Sequence, residues 1–324
     1  MNFIVLIILQ DKRQIVTFVK DKIFMISIEP KELSTKDLHG YLLSSVGPRP
    51  IALASTINKE NRPNLSPFSF FNVFSANPPI AIFSPARRVR NNTTKHTLEN
   101  ILHIKEVVIN VVPFSIVEQC SLSSSEYGPE VNEFKKSGLT AIPSDLILPF
   151  RVKESPVQME CKVNEIIALG NQGGAGNLVV CEIIKIHIDE SVLGTDRKID
   201  PHKLDLVGRM GANWYCRASR DSIFEVEKPN TKLGIGFDAL PNSIKNSTVL
   251  SGNDLAKLAN IHSFTESIGI DKSKENSDIA ILFNSSSNKV NARKELHRQA
   301  KILLAKNNIT EAWKILLIDK LNNL

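Results

Sequence analysis

The chain has 324 residues, of which 42% are hydrophobic and 23% are charged, and its formal net charge is +6. This composition is that of an ordinary globular protein able to bury a core, and the length favours two domains or one domain with an appendage. The small, dispersed positive charge, without a basic stripe of interleaved aromatic residues, argues against nucleic-acid binding.

The N-terminal segment "MNFIVLIILQ" is hydrophobic but far shorter than the roughly 20 residues of a membrane-spanning helix. It also lacks the basic start and the small-residue cleavage site of a signal peptide. We therefore expect no membrane segment. Residues 1–24 are treated as an N-terminal extension because Met25 is an alternative start.

Short apolar segments broken by turns predict strands between residues 40 and 112. "RPIALASTIN" alternates from Ile51 to Ile57 and predicts a half-buried strand, which "KENRPN" connects to the next strand as a hairpin. "PPIAIFS" and "EVVINVV" predict two further strands. Between them, "TKHTLENILHIK" has apolar residues at helical spacing and predicts a short helix.

The segment after residue 114 predicts two short helices and then a long hairpin. "SIVEQCSLSSSEYGPEVNEFKKSG" is typical of helix, loop and helix, closed by Gly138. "VQMECKVNEIIAL" and "LVVCEIIKIHID" alternate around the glycine-rich "GNQGGAGN". Because strand–helix alternation is missing, the predicted fold is mainly β with peripheral helices, a barrel or sandwich and not a parallel doubly wound sheet.

The sequence changes character after Ser219, where it becomes rich in turns. The end, "ARKELHRQAKILLAKNNITEAWKILLI", predicts two amphipathic helices joined near Asn307–Asn308, with Thr310 as the N-cap of the second. We therefore predict a β domain over residues 25–220 and a C-terminal extension with terminal helices over residues 221–324.

The four cysteines, Cys120, Cys161, Cys181 and Cys216, are far apart and form no CxxC pair. Their spacing fits neither a zinc finger nor a small disulfide scaffold. Cys161 and Cys181 lie in apolar strand-like segments, so we expect buried free thiols and a cytoplasmic protein. The histidines are too scattered to predict a metal site.

Two neighbouring segments carry the chemistry that the sequence suggests. "NLSPFSFFN", residues 64–72, is dense in hydroxyls, amides and aromatic rings, which suit the edge and face of a heterocycle. "PARRVRNNTTKHT" carries several cations into the start of a helix, where unpaired N–H groups and a partial positive charge favour a phosphate. Each segment alone is more often a core aromatic cluster or a solvated charged loop. Together they indicate a nucleotide-like cofactor.

A longer series of motifs resembles the FMN-binding split-barrel flavin reductases, which include the reductase component of nitrilotriacetate monooxygenase and flavoredoxin-like proteins. The resemblance covers roughly residues 25–262, and the motifs follow one another in order: "RPIALAST", "NLSPFSFFN", "NPPIAIFSP", "TKHTLENI", "VVINVV", "ESPVQMECKV", "GGAGNLVVCEIIKIHID", "IDPHKLDLVGRMGANWYCRAS" and "KLGIGFDALPNSIKNSTVL". It implies a split β-barrel that binds FMN near a homodimer interface.

The resemblance also implies which residues bind the cofactor. Ser55 and Thr56 would lie at the isoalloxazine edge, and the ring and ribityl chain would contact Asn64, Ser66, Pro67, Phe68 and Ser69. Two further polar contacts would come from Asn72 and Ser84. The phosphate would be bound by Arg88, Lys95 and Thr97. One position departs from the family, which typically has Lys-Asp-Thr where this chain has Lys95-His96-Thr97. Histidine caps a helix less well than aspartate, so His96 either weakens the helix start or joins the phosphate contacts.

The implied reaction is hydride transfer from NAD(P)H to FMN, which requires no catalytic acid or base. A flavin-dependent monooxygenase is the implied partner, and NAD(P)H would bind transiently because no GxGxxG motif opens a helix after a strand. One alternative is a non-catalytic electron-transfer flavoprotein, and another is an interaction protein that uses its basic C-terminal helices. His187 is either a structural histidine or a cofactor contact, and Trp214 and Tyr215 either cover the flavin or pack in the core.

Overall fold

The structure is a computed structural model that describes residues 25–229, 233–263 and 288–321, with side chains up to residue 318. The chain divides between Phe224 and Glu225 into two compact units, and each is described by itself below. The N-terminal extension, residues 1–24, lies outside the described ranges. Within those ranges, no helix combines the length and the apolar character that crossing a membrane requires.

The first unit is mainly β-structure with short peripheral helices, as predicted. Its strands are β1 (Ala52–Ile57), β2 (Pro63–Phe68), β3 (Phe71–Ala76), β4 (Pro79–Phe83), β5 (Glu106–Asn110), β6 (Ala141–Ile142), β7 (Arg151–Val152), β8 (Val157–Ala168), β9 (Asn177–Ile188), β10 (Val207–Arg209) and β11 (Tyr215–Arg217). Its helices are α1 (Thr35–Ser45), α2 (His96–His103), α3 (Val117–Leu122), α4 (Glu133–Ser137) and α5 (Pro201–Leu204). The predicted helix–loop–helix, closed by Gly138 at a left-handed φ of 69°, is confirmed as α3 and α4.

Seven strands form one antiparallel sheet in the order β2-β1-β5-β8-β9-β4-β3. The two edge strands, β2 and β3, are separated along the chain by only Ser69 and Phe70. A flat sheet of this size would be about 29 Å wide, whereas the chain from Phe68 to Phe71 spans at most about 11 Å. The sheet must therefore curl until its edges approach each other, which produces the predicted split barrel.

The barrel interior is filled by side chains from β1, β2, β4, β5, β8 and β9. The rings of Phe68 and Phe83 lie 5.4 Å apart in this cluster, and Leu98 and Ile101 add the apolar face of α2. Helix α2 is therefore anchored on the barrel core, and its N-terminus is held in a fixed position relative to β1 and β2.

The burial of β1 differs from the sequence prediction, because every residue of this strand is buried. Ala52 and Ala54 face the barrel interior. Leu53, however, packs on the other side of the sheet in a second cluster that includes Cys120 of α3 and Phe134 of α4. The prediction of a half-buried strand was wrong because helices cover the outer face of the sheet at this point.

The predicted thiols at Cys161 and Cys181 are confirmed as free and buried inside the barrel. Burial raises the pKa of Cys181 to about 12. At neutral pH such a thiol stays protonated, so it behaves as a small apolar side chain and not as a nucleophile.

The second unit is helical and has its own core. Its helices are α6 (Asn242–Lys245), α7 (Gly252–Ala259), α8 (Lys289–Ala305) and α9 (Ile309–Leu321), so the two predicted terminal helices are confirmed. Trp313 is fully buried, and its indole N–H donates to the Leu258 carbonyl at 3.2 Å. The prediction that Thr310 caps the last helix was wrong by two residues. The Asn308 side chain instead accepts from the Glu311 N–H at 3.4 Å.

Candidate functional site

The start of α2 exposes backbone donors that the helix itself does not use. Lys95 is the N-cap residue, and no side chain in the described part of the chain caps this end. The first N–H groups of a helix have no partner within the helix and carry a partial positive charge. This end of α2 is therefore suited to an anion.

Three cationic side chains surround the same helix start. Arg88 has a side chain only 14% exposed and donates to the Thr93 hydroxyl at 3.0 Å and to the Thr94 carbonyl, which fix its guanidinium. Burial lowers the pKa of Lys95, and the positive charges of Arg88 and Arg90 lower it further. The three side chains concentrate positive charge at the helix start, which favours an added anion.

An acidic side chain from the loop between α3 and α4 lies among these cations. Glu126 accepts from the Arg88 Nε at 3.1 Å and from Arg90, and Lys95 Nζ is 3.9 Å from the same carboxylate. The anion site at the start of α2 thus contains a carboxylate of the protein itself. Glu126 was not among the predicted site residues.

Arg88 and Lys95 line one open pocket together with the polar end of β2. Its lining consists of residues from β2, from the start of α2 and from the loop that leads to α4, namely Asn64, Ser66, Arg88, Lys95, His96, Thr97, Ser123, Ser124, Ser125, Glu126, Tyr127 and Glu133. The two segments that the sequence singled out therefore meet at one site. The loop 123–127 was missed, although its run of three serines beside a glutamate is visible in the sequence.

A buried hydrogen-bond network fixes the wall of this pocket. The Asn64 side-chain oxygen accepts from the Thr97 hydroxyl at 2.8 Å and from the Thr56 hydroxyl at 3.3 Å. The Asn100 amide donates to Thr56 at 3.0 Å. Thr56 and Thr97 are each only 1% exposed. Because their hydroxyls are already bonded to protein, these two residues hold Asn64 in place, and the Thr97 N–H stays available at the helix start.

Glu133 completes the network from α4. Its carboxylate accepts from the Asn64 side-chain amide at 3.0 Å and from the Leu65 N–H at 3.2 Å. Burial raises the pKa of Glu133, although these hydrogen bonds act in the opposite direction. Sequence reasoning missed this residue, since its approach to β2 depends on the packing of α4.

The other predicted cofactor residues do not line this pocket. They lie on β1, in or just after β2, on β3 and after β4, and they are Ser55, Thr56, Pro67, Phe68, Ser69, Asn72 and Ser84. Phe68 belongs to the barrel core, whereas Asn72 is exposed. Ser55 is fully buried, and its hydroxyl has no hydrogen-bond partner among the residues that the structure describes.

Ser69 is held by a buried arginine that the sequence did not predict. Arg49 is 5% exposed, and its Nε donates to the Ser69 hydroxyl at 3.3 Å. Its other nitrogens donate to the carbonyls of Leu43, Val46 and Met210. The side chain of Arg49 therefore ties the end of α1 to the segment between β2 and β3.

The two aromatic residues after β10 lie in different environments. Trp214 is 74% exposed, so it does not pack in the core of its unit. Tyr215 is partly buried, and the guanidinium of Arg209 lies 4.6 Å from its ring centre.

His187 is a hydrogen-bonded histidine, which agrees with the structural alternative of the two that the sequence left open. Its Nε2 lies 2.7 Å from the carboxylate of Glu160, which is fully buried and also accepts from the N–H groups of Asp145 and Leu146. Asp145, Glu160 and His187 have atoms within 4.8 Å of one another. However, Lys185 pairs with Asp145 at this cluster, so an ammonium group already supplies the positive charge.

Comparison with known proteins identifies one matching family model and several related proteins. A family model described as "Flavin reductase like domain" matches residues 44–203. An uncharacterized protein of Aquifex aeolicus is 35% identical over 188 residues, which are 58% of this chain and 93% of that protein. A second uncharacterized protein, from Halalkalibacterium halodurans, is 33% identical over 204 residues, which are 62% of this chain and 96% of that protein.

Solved structures show the same similarity. Nitrilotriacetate monooxygenase component B from Bacillus cereus is 29% identical with a TM-score of 0.58, covering 62% of this chain and 98% of that one. The 2-nitrobenzoate 2-nitroreductase NbaA from Pseudomonas fluorescens is 26% identical with a TM-score of 0.57, covering 65% and 100%. A protein with a split barrel domain from Shewanella frigidimarina is 27% identical with a TM-score of 0.52, covering 61% and 96%.

Proposed function

This chain belongs to the flavin reductase-like family, and from that membership and the pocket on α2 we propose that it binds FMN and reduces it with NAD(P)H. One observation carries the proposal. The polar end of β2 and the cationic start of α2 line a single pocket, which matches a ligand that joins a polar heterocycle to a phosphate.

The residues of the pocket fit the phosphate of FMN. Arg88 and Lys95 supply positive charge, and the start of α2 supplies N–H groups that no described side chain caps. Hydrogen bonds between charged groups are stronger than those between neutral groups, and an arginine can hold two phosphate oxygens at once. We assign Arg88, Lys95 and the Thr97 N–H to the phosphate.

FMN, when bound, supplies the redox chemistry, since its ring accepts the hydride that reduced nicotinamide donates. The protein's contribution is orientation, because hydride transfer requires no acid or base from a side chain. Asn64 and Ser66 present an amide and a hydroxyl on the pocket wall, and Glu133 keeps the Asn64 amide oriented. We extend the same proposal to the remaining predicted contacts, Ser55, Thr56, Pro67, Phe68, Ser69, Asn72 and Ser84.

A homodimer is part of the proposal. The edge strand β3 exposes large apolar side chains, with Val73 53% exposed and Phe74 64% exposed. Exposed apolar residues grouped at a sheet edge are typical of an interaction surface. We further propose that a monooxygenase receives the reduced flavin. The relationship to nitrilotriacetate monooxygenase component B supports that choice.

The test is oxidation of NADH and of NADPH by the purified full chain, with and without added FMN. We expect rapid oxidation of at least one nucleotide, stimulated by FMN. Absence of turnover with both nucleotides would contradict the reductase. If FMN survives dialysis but stays oxidised in the presence of NAD(P)H, the alternative of an electron-transfer flavoprotein is favoured.

A further inference from the structure

The phosphate site contains a negative charge that belongs to the protein. Arg88, Arg90 and Lys95 all direct their positive groups at the carboxylate of Glu126. Arg88 and Lys95 are the cations that the proposed function assigns to the FMN phosphate. A phosphate that enters the site must therefore compete with Glu126 for the same donors.

Glu133, the other carboxylate in the pocket lining, has different hydrogen-bond partners. Glu133 is buried and its oxygens accept from Asn64 and Leu65, so it is committed to the wall of the pocket. Glu126 instead has a side chain 36% exposed, on a loop between two helices. Ion pairs that water reaches are individually weak, so a dianionic phosphate can replace this carboxylate.

We propose that Glu126 is an internal counter-anion, which neutralises the phosphate-binding cations in the free protein and is displaced by the phosphate of FMN. The inference rests on the proposed function and goes beyond it, because it makes Glu126 a determinant of how long FMN stays bound. Part of the attraction of the cations for phosphate is used to break their contacts with Glu126. The affinity for FMN is reduced accordingly, and its release is faster.

Residues beside Glu126 explain why the site survives its displacement. Ser124 and Ser125 belong to the same loop and line the same pocket, so the loop offers polar groups there besides the carboxylate. Arg88 stays fixed by Thr93 and Thr94. The consequence is functional: FMN behaves as an exchanging substrate of a reductase and not as the permanent group of an electron carrier.

The experiment compares the full-length wild type with Glu126→Gln and, as a matched control, Glu130→Gln. Glu130 lies on the same loop and loses the same charge when substituted, but among the described residues it contacts none of the three cations. Binding of FMN and riboflavin is measured by quenching of flavin fluorescence, and binding of inorganic phosphate by calorimetry. We expect E126Q to bind FMN and phosphate about tenfold more tightly, with riboflavin unchanged and E130Q like the wild type.

The phosphate measurement separates this inference from the proposed function. If E126Q binds inorganic phosphate more tightly than the wild type, the role of Glu126 is supported even where neither protein binds FMN, and only the proposed function then fails. If E126Q binds phosphate no more tightly than the wild type, or if E130Q gains as much, the role of Glu126 is overturned whatever the flavin results are.

Discussion

Glu133 accepts a hydrogen bond of 3.0 Å from the side-chain amide of Asn64, although 69 positions of the sequence separate the two residues. This contact joins α4 to β2 behind the candidate pocket. Asn64 also accepts from Thr97 of α2, so one side chain links three elements. The wall of the site is therefore set by a buried polar network, and substitutions in that network should change both stability and binding.

The first prediction concerns Asn64→Asp. This change places a second carboxylate against buried Glu133, whose pKa burial already raises. Like charges raise both pKa values, and the folded state then binds protons that the unfolded state releases. Stability is therefore retained at acidic pH and lost as the pH rises through the raised folded-state pKa. We expect a loss of about 2–4 kcal/mol at neutral pH.

Urea unfolding at neutral and at mildly acidic pH checks this prediction. Asn64→Ala is the matched control, because it removes the same hydrogen bonds without adding a charge. Its loss of stability should depend on pH less strongly than that of N64D, because it removes one hydrogen bond that lowers the pKa of Glu133 but adds no like charge. Equal destabilisation of N64D at both pH values would show that Glu133 does not interact with the new carboxylate.

The second prediction concerns Glu160→Gln in the barrel wall. Burial raises the pKa of Glu160, but hydrogen bonds from Asp145, His187 and Leu146 bring it below its ordinary value. A carboxyl with a lowered folded-state pKa stabilises the protein above its unfolded pKa, and that stability is lost as the pH falls through the folded-state pKa. Glu160→Gln should cost about 1–3 kcal/mol at neutral pH and less in acid.

Thermal unfolding across the acidic range provides the measurement. Glu165→Gln is the control, since Glu165 lies exposed on the same strand, β8. It should stay within about 0.5 kcal/mol of the wild type. A constant difference between E160Q and the wild type at all pH values would exclude an ionised Glu160 as the source of the stability.

The third prediction tests Lys95 as a phosphate ligand. Lys95→Met keeps the length of the side chain but removes its charge from the start of α2. FMN affinity should fall about tenfold, because a charge-assisted contact to phosphate is lost, while riboflavin affinity should not change. Lys105→Met, at an exposed position beyond the end of α2, should leave both affinities unchanged. Equal loss of FMN and riboflavin affinity in K95M would place Lys95 away from the phosphate.

The fourth prediction concerns the helical second unit. Every residue that lines the candidate pocket lies between Asn64 and Glu133, and the family match ends at residue 203. A chain that ends at Phe224 should therefore keep its FMN affinity within about a factor of two of the full chain. Loss of binding by a truncated chain that still shows β-structure by circular dichroism would assign the second unit a part in the site.

The sequence predicted most elements of the fold because their signals are local. The alternation of apolar and polar residues predicted the strands β8 and β9, and apolar residues at helical spacing predicted α2. The burial of β1 was missed because no pattern within Ile51–Ile57 shows that helices cover its outer face. Asn308 replaced the predicted cap Thr310 because both are favoured cap residues and only the structure fixes where the helix begins.

The site was predictable only in part, because some of its residues reach the pocket through contacts between segments that are distant in the sequence. Asn64, Ser66, Arg88 and Lys95 lie in two motifs that neighbouring elements bring together. Glu126 and Glu133 come from a loop and a short helix that reach the pocket through tertiary packing, which leaves no periodic signal in the sequence. The two carboxylates of the pocket lining were thus the residues that the sequence could not reveal.

The central claim is that the polar wall of β2 and the cationic start of α2 form one site for a phosphorylated flavin. Titration of the wild-type chain with FMN and with riboflavin, followed by flavin fluorescence, tests it most directly. The account predicts saturable FMN binding at least about tenfold tighter than riboflavin binding, and weaker FMN binding as salt increases. Equal affinity for the two flavins, or no binding of either, would contradict it.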